Sequence, residues 1–228
     1  MAGAEGGLGR LNGSFPDGSR PHVRPQLRET EYDGIAYVYP TWEQMGGYSI
    51  DLAKQIIQSG QSFDRIVALA RGGWTWSRPL LDALKVPSVS SIRYTSYEGG
   101  VKLGKPKLVQ PLTDSIDGER VILLDEVIDT GETMLQAEKY LQEMGPAAIR
   151  IAALCYKPRS EVRPLEIKPD FFAFESSAWV VFPHEPREFI EDCIARWSPA
   201  GLSRDEIRDR IITIGMPLET VEVFFDLE

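Results

Sequence analysis

The sequence predicts an α/β protein in which a parallel sheet is flanked by helices. Three short apolar runs, Ile66–Leu69, Val121–Leu124 and Ile149–Leu154, are typical of strands that are buried on both faces. Segments with helical periodicity separate these runs, which is the alternation expected of a parallel sheet. The chain has 228 residues and a hydrophobic content of 43%, so it is large enough for one sizeable core.

Three regions are predicted along the chain. Residues 1–33 are rich in glycine, contain three prolines and show no apolar period, so they are interpreted as a flexible leader. Residues 34–185 hold the predicted α/β domain. Residues 186–228 are predicted to be a helical appendage that packs against this domain or a second subunit, and a capping-box pattern at Ser203 marks one helix start.

The first half of the predicted domain contains three further elements. Ile35–Tyr39 is predicted to be a strand, and Thr41 is predicted to cap a helix. Val89–Arg93 is predicted to be a strand. The following segment, Tyr94–Gly118, has the Gly, Pro, Lys and Ser content of a long mobile loop.

The segment Val121–Met134 concentrates the polar chemistry. A buried strand is predicted to end at Leu124, where Asp125 and Glu126 place two carboxylates at the sheet edge that usually binds ligands. Gly131 permits a tight turn, and the free N–H groups of a helix start attract an anion. The pattern predicts a phosphate-binding turn that comprises Asp129, Thr130, Gly131, Glu132 and Thr133, with Glu132 acting through its N–H group.

This segment resembles the ribose-phosphate signature of the type I phosphoribosyltransferases. The resemblance implies their fold, with a hood beside the sheet, and phosphoribosyl pyrophosphate as the donor. The acidic pair reads Asp-Glu, where members of the family more often have Asp-Asp or Glu-Asp. Because both side chains keep the charge, a changed reach is expected and not a lost function.

Two further segments match the family's loops. Arg71, Gly72 and Gly73 follow a predicted strand, as does the family's short loop that holds pyrophosphate, and paired glycines allow close approach to an anion. Ser96 and Tyr97 stand where the resembling enzymes have a flexible loop that closes over the reacting sugar.

The later part of the domain narrows the resemblance to the microbial hypoxanthine, guanine and xanthine enzymes. Lys157 offers an ammonium group to a 6-oxo group, Trp179 and Val180 offer a stacking surface, and Glu185 completes the predicted purine site. His184 stands where an aromatic residue is common in that subgroup, and its role stays open.

The resemblance also implies the chemistry. Asp129 is the predicted catalytic base for the N7 proton of the purine. Asp125 and Glu126 are predicted to hold the ribose hydroxyls, and Mg2+ is the expected cofactor, with Asp125, Glu126 and Glu185 as its predicted ligands. A homodimer or homotetramer is expected.

Composition and charge restrict the alternatives. The net charge of -9 argues against a nucleic acid polymer as partner, and no apolar run predicts a membrane span, so a cytoplasmic location is expected. Two other functions remain open: a regulator on the same fold that binds the donor or a nucleotide without turnover, and an enzyme for orotate, uracil or adenine. The sequence does not rank hypoxanthine, guanine and xanthine.

Overall fold

The computed structural model describes residues 27–98, 101–158, 167–225 and 227. Its main sheet has six strands: β3 (Arg65–Ala70), β4 (Ser88–Glu98), β5 (Val101–Gln110), β6 (Arg120–Ile128), β7 (Ala148–Tyr156) and β8 (Phe171–Glu175). Their order across the sheet is β5-β4-β3-β6-β7-β8. All neighbouring strands are parallel except β4 and β5, which form an antiparallel pair. The predicted α/β class with a parallel sheet is confirmed.

Helices cover both faces of this sheet: α1 (Trp42–Gln58), α2 (Gly72–Leu84) and α3 (Glu132–Gln142). Side chains alternate along β6, so Ile122 and Leu124 pack with α1 and α2, whereas Val121 and Leu123 pack on the opposite face with α3. Helix α1 begins as predicted, because the Thr41 side chain accepts a hydrogen bond from the backbone N–H of Gln44 in a capping box.

A smaller sheet forms the hood. It consists of β1 (Glu29–Tyr32), β2 (Ile35–Val38) and β9 (Trp179–Val180) in the order β1-β2-β9. Strand β1 lies inside the predicted leader, so the leader boundary at residue 33 is wrong. The four residues of β1 lack an apolar period because this strand is at the edge of the sheet and is half exposed. Residues 1–26 lie outside the described residues.

The predicted appendage consists of α4 (Pro186–Trp197), α5 (Arg204–Ile214) and α6 (Leu218–Phe225). It packs on the hood, where Tyr37 and Val181 share a buried cluster with Phe189 and Trp197. The Trp197 indole N–H donates a hydrogen bond of 2.8 Å to Asp33, in the turn between β1 and β2. The packing against the domain that the sequence predicted is therefore present, and the first appended helix is fixed to the hood.

The predicted mobile segment is largely a hairpin. Strand β4 continues to Glu98, and β5 returns antiparallel to it, with pairing that shifts between Thr95 and Tyr97. The backbone of Ser96 and Tyr97 thus belongs to a strand and not to a loop. Aromatic and β-branched residues before Gly99-Gly100 favour such a hairpin, although these two glycines lie outside the described residues.

Membrane insertion through a helix is not supported by the described part of the chain. None of its helices combines the length and the apolar character needed to cross a bilayer. The cytoplasmic location stays a prediction.

Candidate active site

The polar segments meet where the strand order reverses. The chain passes from β3 outward to β4 and β5, then returns to place β6 on the other side of β3. In open α/β sheets, ligands bind in the crevice at such a reversal, beyond the carboxyl ends of the strands. Helix α2 begins directly after β3, and α3 follows β6 closely. Two helix starts therefore face the same crevice.

A small pocket of about 120 Å³ lies at the start of α3, and we call it the phosphate pocket. Gly131 precedes the helix with a φ of 76°, a backbone conformation that favours glycine, and the Glu132 N–H donates to the Thr130 hydroxyl at 3.4 Å. Its lining comprises Asp125, Val127, Ile128, Asp129, Thr130, Gly131, Thr133 and Met134. Of the predicted phosphate-binding residues, four line this pocket and Glu132 contributes the first helical residue behind it.

A larger pocket of about 270 Å³, the base pocket, lies beside it. The backbone N–H of Lys157 donates to the Ile128 carbonyl at 3.0 Å, which holds the end of β7 against the end of β6. The lining comprises Glu126, Val127, Asp129, Lys157, Trp179, Val180, Val181, Phe182, Glu185, Glu188, Phe189 and Asp192. All four predicted purine-site residues are therefore brought together.

The two pockets adjoin, because Val127 and Asp129 line both of them. Beneath this junction, burial raises the pKa of the Cys155 thiol to about 12, while Lys157 acts to lower it and Asp129 to raise it. The charged groups of Lys157 and Asp129 therefore both lie near the Cys155 sulfur atom. The predicted catalytic carboxylate occupies the boundary between a phosphate-sized pocket and a pocket of mixed polar and aromatic character.

The acidic pair is divided between the pockets. Strand β6 continues to Ile128 and does not stop at Leu124 as predicted, so Asp125 and Glu126 project to opposite sides. Asp125 lines the phosphate pocket and Glu126 the base pocket. Burial, followed by repulsion from Glu126, raises the pKa of Asp125 well above its usual value, although the Glu126 N–H donates to it at 2.8 Å.

A candidate cation site lies on the base-pocket side. Ligand atoms of Glu126, His184 and Glu185 all lie within 4.8 Å of one another. His184 Nε2 is 2.9 Å from Glu126 Oε2, but their geometry is not that of a hydrogen bond, so this buried carboxylate oxygen has no hydrogen-bond partner among the described residues. Two of the three predicted metal ligands are thus together, whereas Asp125 is not part of this group.

Charge coupling within this group is strong. Burial, followed by repulsion from Glu126, raises the pKa of Glu185 to about 7. Burial lowers the pKa of His184, but its contact with Glu126 and the negative charges of Glu126 and Glu185 together outweigh burial, so the net pKa is raised. A bound cation would relieve the repulsion between the two carboxylates, because it would neutralise both.

The predicted pyrophosphate loop forms the first turn of α2. A Cβ atom added to Gly72 would lie 2.5 Å from Glu126 Oε1, and one added to Gly73 would lie 2.5 Å from the Leu124 carbonyl oxygen. Only glycine allows α2 to approach β6 this closely. The exposed Arg71 guanidinium forms an ion pair of 2.8 Å with Glu188 of α4. This loop borders the crevice but does not line either pocket.

Comparison with known proteins identifies the family. The phosphoribosyl transferase domain matches residues 41–187, well over half of the chain. The chain belongs to this family. It is 31% identical over 154 residues to the xanthine-guanine phosphoribosyltransferase of Gluconobacter oxydans, covering 65% of this chain and 84% of that protein. It is 30% identical to the hypoxanthine-guanine phosphoribosyltransferase of Aquifex aeolicus over 130 residues, which cover 55% of this chain and 71% of that protein.

Solved structures agree with this assignment. The purine phosphoribosyltransferase of Pyrococcus horikoshii has a TM-score of 0.56 and 29% sequence identity, covering 64% of this chain and 92% of that one. The type I phosphoribosyltransferase fold expected from the sequence is therefore confirmed. The phosphate and base pockets described above both lie mainly within the matched domain.

Helix α4 adds residues to the site that the sequence analysis missed. Glu188 and Asp192 line the base pocket, although both lie beyond the matched phosphoribosyltransferase domain. The Arg196 guanidinium lies 5.4 Å from the centre of the Trp179 ring, within the range of a cation–π contact. Arg196 does not line the base pocket, so it contacts this ring from outside the pocket. Trp179 keeps 40% of its surface exposed for a ligand.

A signal for these residues was present in the sequence. Glu185, Glu188 and Asp192 are spaced by three and four positions, so they share one side of α4 beside the apolar stripe of Phe189 and Cys193. The sequence predicted that this appendage packs against the domain or a second subunit, but the acidic side of α4 was not assigned. Its position over the base pocket depends on tertiary packing and could not be derived from spacing.

Proposed function

We propose that this protein transfers the 5-phosphoribosyl group from phosphoribosyl pyrophosphate to a 6-oxopurine base, giving a nucleoside monophosphate and pyrophosphate. The observation that carries the proposal is the shared wall of the two pockets, where Asp129 stands between the phosphate-binding turn and the purine-site residues. A purine nucleoside monophosphate has the same arrangement, with a phosphate at one end and a base at the other. Relatives named xanthine-guanine and hypoxanthine-guanine phosphoribosyltransferase support the choice of base.

The base pocket accounts for recognition of a 6-oxopurine. The Lys157 ammonium group is a donor without an acceptor, so it suits the 6-oxo group and is poorly matched to the 6-amino group of adenine. Trp179 and Val180 supply flat and apolar surface for the ring. A donor in the pocket wall that requires an acceptor discriminates between bases, because the wrong base leaves it unpaired.

The phosphate pocket holds the other end of the donor. The N–H groups at the start of α3 and the hydroxyls of Thr130 and Thr133 would bind the 5′-phosphate, with Gly131 shaping the turn. Asp125 and Glu126 flank the space between the pockets, where the ribose hydroxyls would lie. Arg71 would stabilise the departing pyrophosphate, together with the backbone of Gly72 and Gly73. Its guanidinium group would first have to separate from Glu188, with which it forms an ion pair.

Asp129 would act as the base of the reaction. The bond from C1 of the ribose to pyrophosphate breaks with its electron pair leaving on the oxygen, while purine N9 forms the new bond to C1. Positive charge develops on the ribose during this exchange, as in glycoside transfer. The purine then releases its N7 proton, and a carboxylate at the junction of the pockets is placed to accept it.

Mg2+ is proposed as the cofactor. It would bind the donor's pyrophosphate and hydroxyl oxygens and offset their negative charge. Glu126 and Glu185 are suitable ligands for Mg2+, because this ion prefers oxygen atoms. The two carboxylates repel one another when both are charged, and a bound cation would reduce that repulsion. The roles predicted for Ser96 and Tyr97, and the homo-oligomeric state, stay predictions, and sedimentation would test the latter.

The experiment is pyrophosphate release from phosphoribosyl pyrophosphate and Mg2+ with hypoxanthine, guanine, xanthine and adenine offered separately. Turnover is expected with at least one of the 6-oxopurines and not with adenine. Tight binding of the donor or a nucleotide without turnover of any base would overturn the proposal in favour of a regulator. Retention of Asp129, Lys157 and Trp179 is what favours the enzyme.

A further inference from the structure

The first appended helix, α4, closes one side of the base pocket. The matched phosphoribosyltransferase domain ends at residue 187, the second residue of this helix. Glu188 and Asp192, one helical turn apart, line the pocket from beyond that boundary. The hood holds the helix in place, because Phe189 and Trp197 are buried against it and Trp197 is hydrogen bonded to Asp33. The helix that carries the two carboxylates is therefore fixed beside the pocket, while the carboxylates themselves are exposed at its rim.

These residues make the pocket strongly acidic. Its charged lining consists of one cation, Lys157, and five carboxylates, contributed by Glu126, Asp129, Glu185, Glu188 and Asp192. The negative field is evident in the carboxylates themselves. Burial and then repulsion from Glu188 raise the pKa of Asp192, and Glu188 also contributes to the raised pKa of Glu185. A ligand that brings further negative charge into this pocket is disfavoured.

We propose that Glu188 and Asp192 make the base pocket select guanine over xanthine. The proposal rests on the proposed function and names the substrate preference of that site. Guanine carries an amino group at C2, which donates hydrogen bonds to carboxylates. Xanthine carries an oxo group there and, as a more acidic base, forms an anion near neutral pH. Carboxylate acceptors thus attract the first base and repel the second. Hypoxanthine, which has only hydrogen at C2, falls between them.

Asp192 is the sharper probe of the two residues. Glu188 also pairs with Arg71, so its removal changes both the base pocket and the predicted pyrophosphate loop. Among the described ion pairs and hydrogen bonds, Asp192 has no such second role. Its substitution Asp192→Asn keeps the side-chain volume, removes the charge and replaces one acceptor oxygen with an amide N–H donor group.

A matched control lies next to it on the same helix. Glu191 forms an exposed ion pair of 2.7 Å with Arg187 and does not line the base pocket. Glu191→Gln therefore removes one charge from α4, as Asp192→Asn does, but outside the pocket. Loss of such an exposed pair has little effect on stability.

The experiment is the ratio of kcat/KM for guanine to kcat/KM for xanthine, measured for the wild type and the two variants. The wild-type enzyme is expected to favour guanine by about tenfold or more. Asp192→Asn should lower this ratio several-fold, mainly through a lower KM for xanthine, whereas Glu191→Gln should leave it unchanged. A wild type without preference, or an equal change in both variants, would overturn the proposal.

A binding experiment separates this inference from the proposed function. Calorimetry with guanosine and xanthosine monophosphates compares the two bases on the same ribose phosphate. Tighter binding of the guanine nucleotide that weakens in Asp192→Asn supports the selectivity even if no base is turned over. Equal affinity for both nucleotides contradicts it, whatever the assay of turnover shows.

Discussion

The two edges of the main sheet differ in how their charged side chains are arranged. At the amino-terminal edge, Arg65 forms an ion pair of 2.7 Å with Glu119 and a second of 3.1 Å with Asp114. The Ser90 hydroxyl accepts a hydrogen bond from Arg65 and donates one to Asp114. The hydrogen bond to Glu119 raises the pKa of Arg65, so the charged form is favoured. Each charge in this network has an opposite partner, and the network joins β3, β4 and the start of β6.

At the carboxyl-terminal edge, carboxylates face one another. Burial and Glu126 raise the pKa of Asp125 well above its usual value, and burial followed by the same neighbour raises that of Glu185 to about 7. The pairing at the first edge stabilises the fold, whereas the repulsion at the second is relieved when a proton, a cation or a ligand binds. Perturbed carboxylates in a crevice are a mark of a functional site, so the comparison favours the carboxyl-terminal edge as the place of the proposed reaction.

The largest predicted effect of a substitution at the carboxyl-terminal edge is on turnover. Asp129→Asn removes the carboxylate that would accept the purine proton, so kcat should fall by about 10²- to 10⁴-fold. Binding of phosphoribosyl pyrophosphate should change far less, because the turn around Gly131 stays intact. Steady-state kinetics and calorimetry with the donor measure the two quantities.

The control for this variant is Asp64→Asn at the amino-terminal edge. Asp64 accepts a hydrogen bond of 2.8 Å from the Arg120 N–H, which an asparagine oxygen can also accept. Turnover should stay within about twofold, since proton transfer does not involve this edge. If Asp129→Asn instead weakened donor binding in proportion to kcat, its role as a base would be lost.

A smaller effect is expected on stability. Arg65→Met leaves Glu119 and Asp114 without their cation, and the Arg65 side chain is only 12% exposed, so the free energy of unfolding should fall by about 2 kcal/mol. Urea denaturation measures this loss. The matched variant Arg78→Met breaks an exposed ion pair with Asp82 and should cost less than about 0.5 kcal/mol. Equal losses in both would remove the distinction between a structural network and surface pairs.

The smallest effect concerns pH. The pKa of Glu185 is about 7 in the folded protein and about 4.5 when unfolded, so the folded state binds this proton more tightly. The resulting stabilisation is complete below about pH 4.5 and is lost as the pH rises to about 7. After allowance for solvent screening, the free energy of unfolding should decrease by on the order of 1–2 kcal/mol across this range.

Urea denaturation at a series of pH values tests this slope. Glu185→Gln should make the decrease smaller, because glutamine carries no titratable proton, and the part that remains is expected from Asp125 and Asp192, whose pKa values are also raised. Glu191→Gln, on the exposed side of α4, should retain it. A decrease of unchanged size in Glu185→Gln would contradict the raised pKa of Glu185.

The elements that could be predicted are those whose signals are local. The apolar runs within β3, β6 and β7 identified the buried strands, since a strand covered on both faces must be apolar throughout. The Thr41 and Ser203 caps marked helix starts through contacts only three residues away. The predicted purine-site residues are brought together because they follow strands of the two sheets that meet at one crevice.

The features that could not be predicted depend on distant partners. The polar strand β1 is ordered by pairing with β2, by the hydrogen bonds that Asp33 accepts from Trp197 and Arg210, and by the packing of Tyr32 against Trp197. The continuation of β6 past Leu124 depends on β7, which pairs with it as far as Ile128. Helix α4 borders the base pocket because its apolar side packs on the hood. The spacing of residues along the helix does not show which part of the domain it packs against.

The central claim is that the phosphate and base pockets form one site for a single ligand. Calorimetric titration of the wild-type protein with guanosine monophosphate, guanosine and ribose 5-phosphate tests it directly. If the pockets adjoin at Asp129 as described, the monophosphate should bind at one site per chain and about 100-fold or more tightly than either fragment, because one ligand fills both pockets. Affinity no greater than that of the better fragment would contradict a joined site.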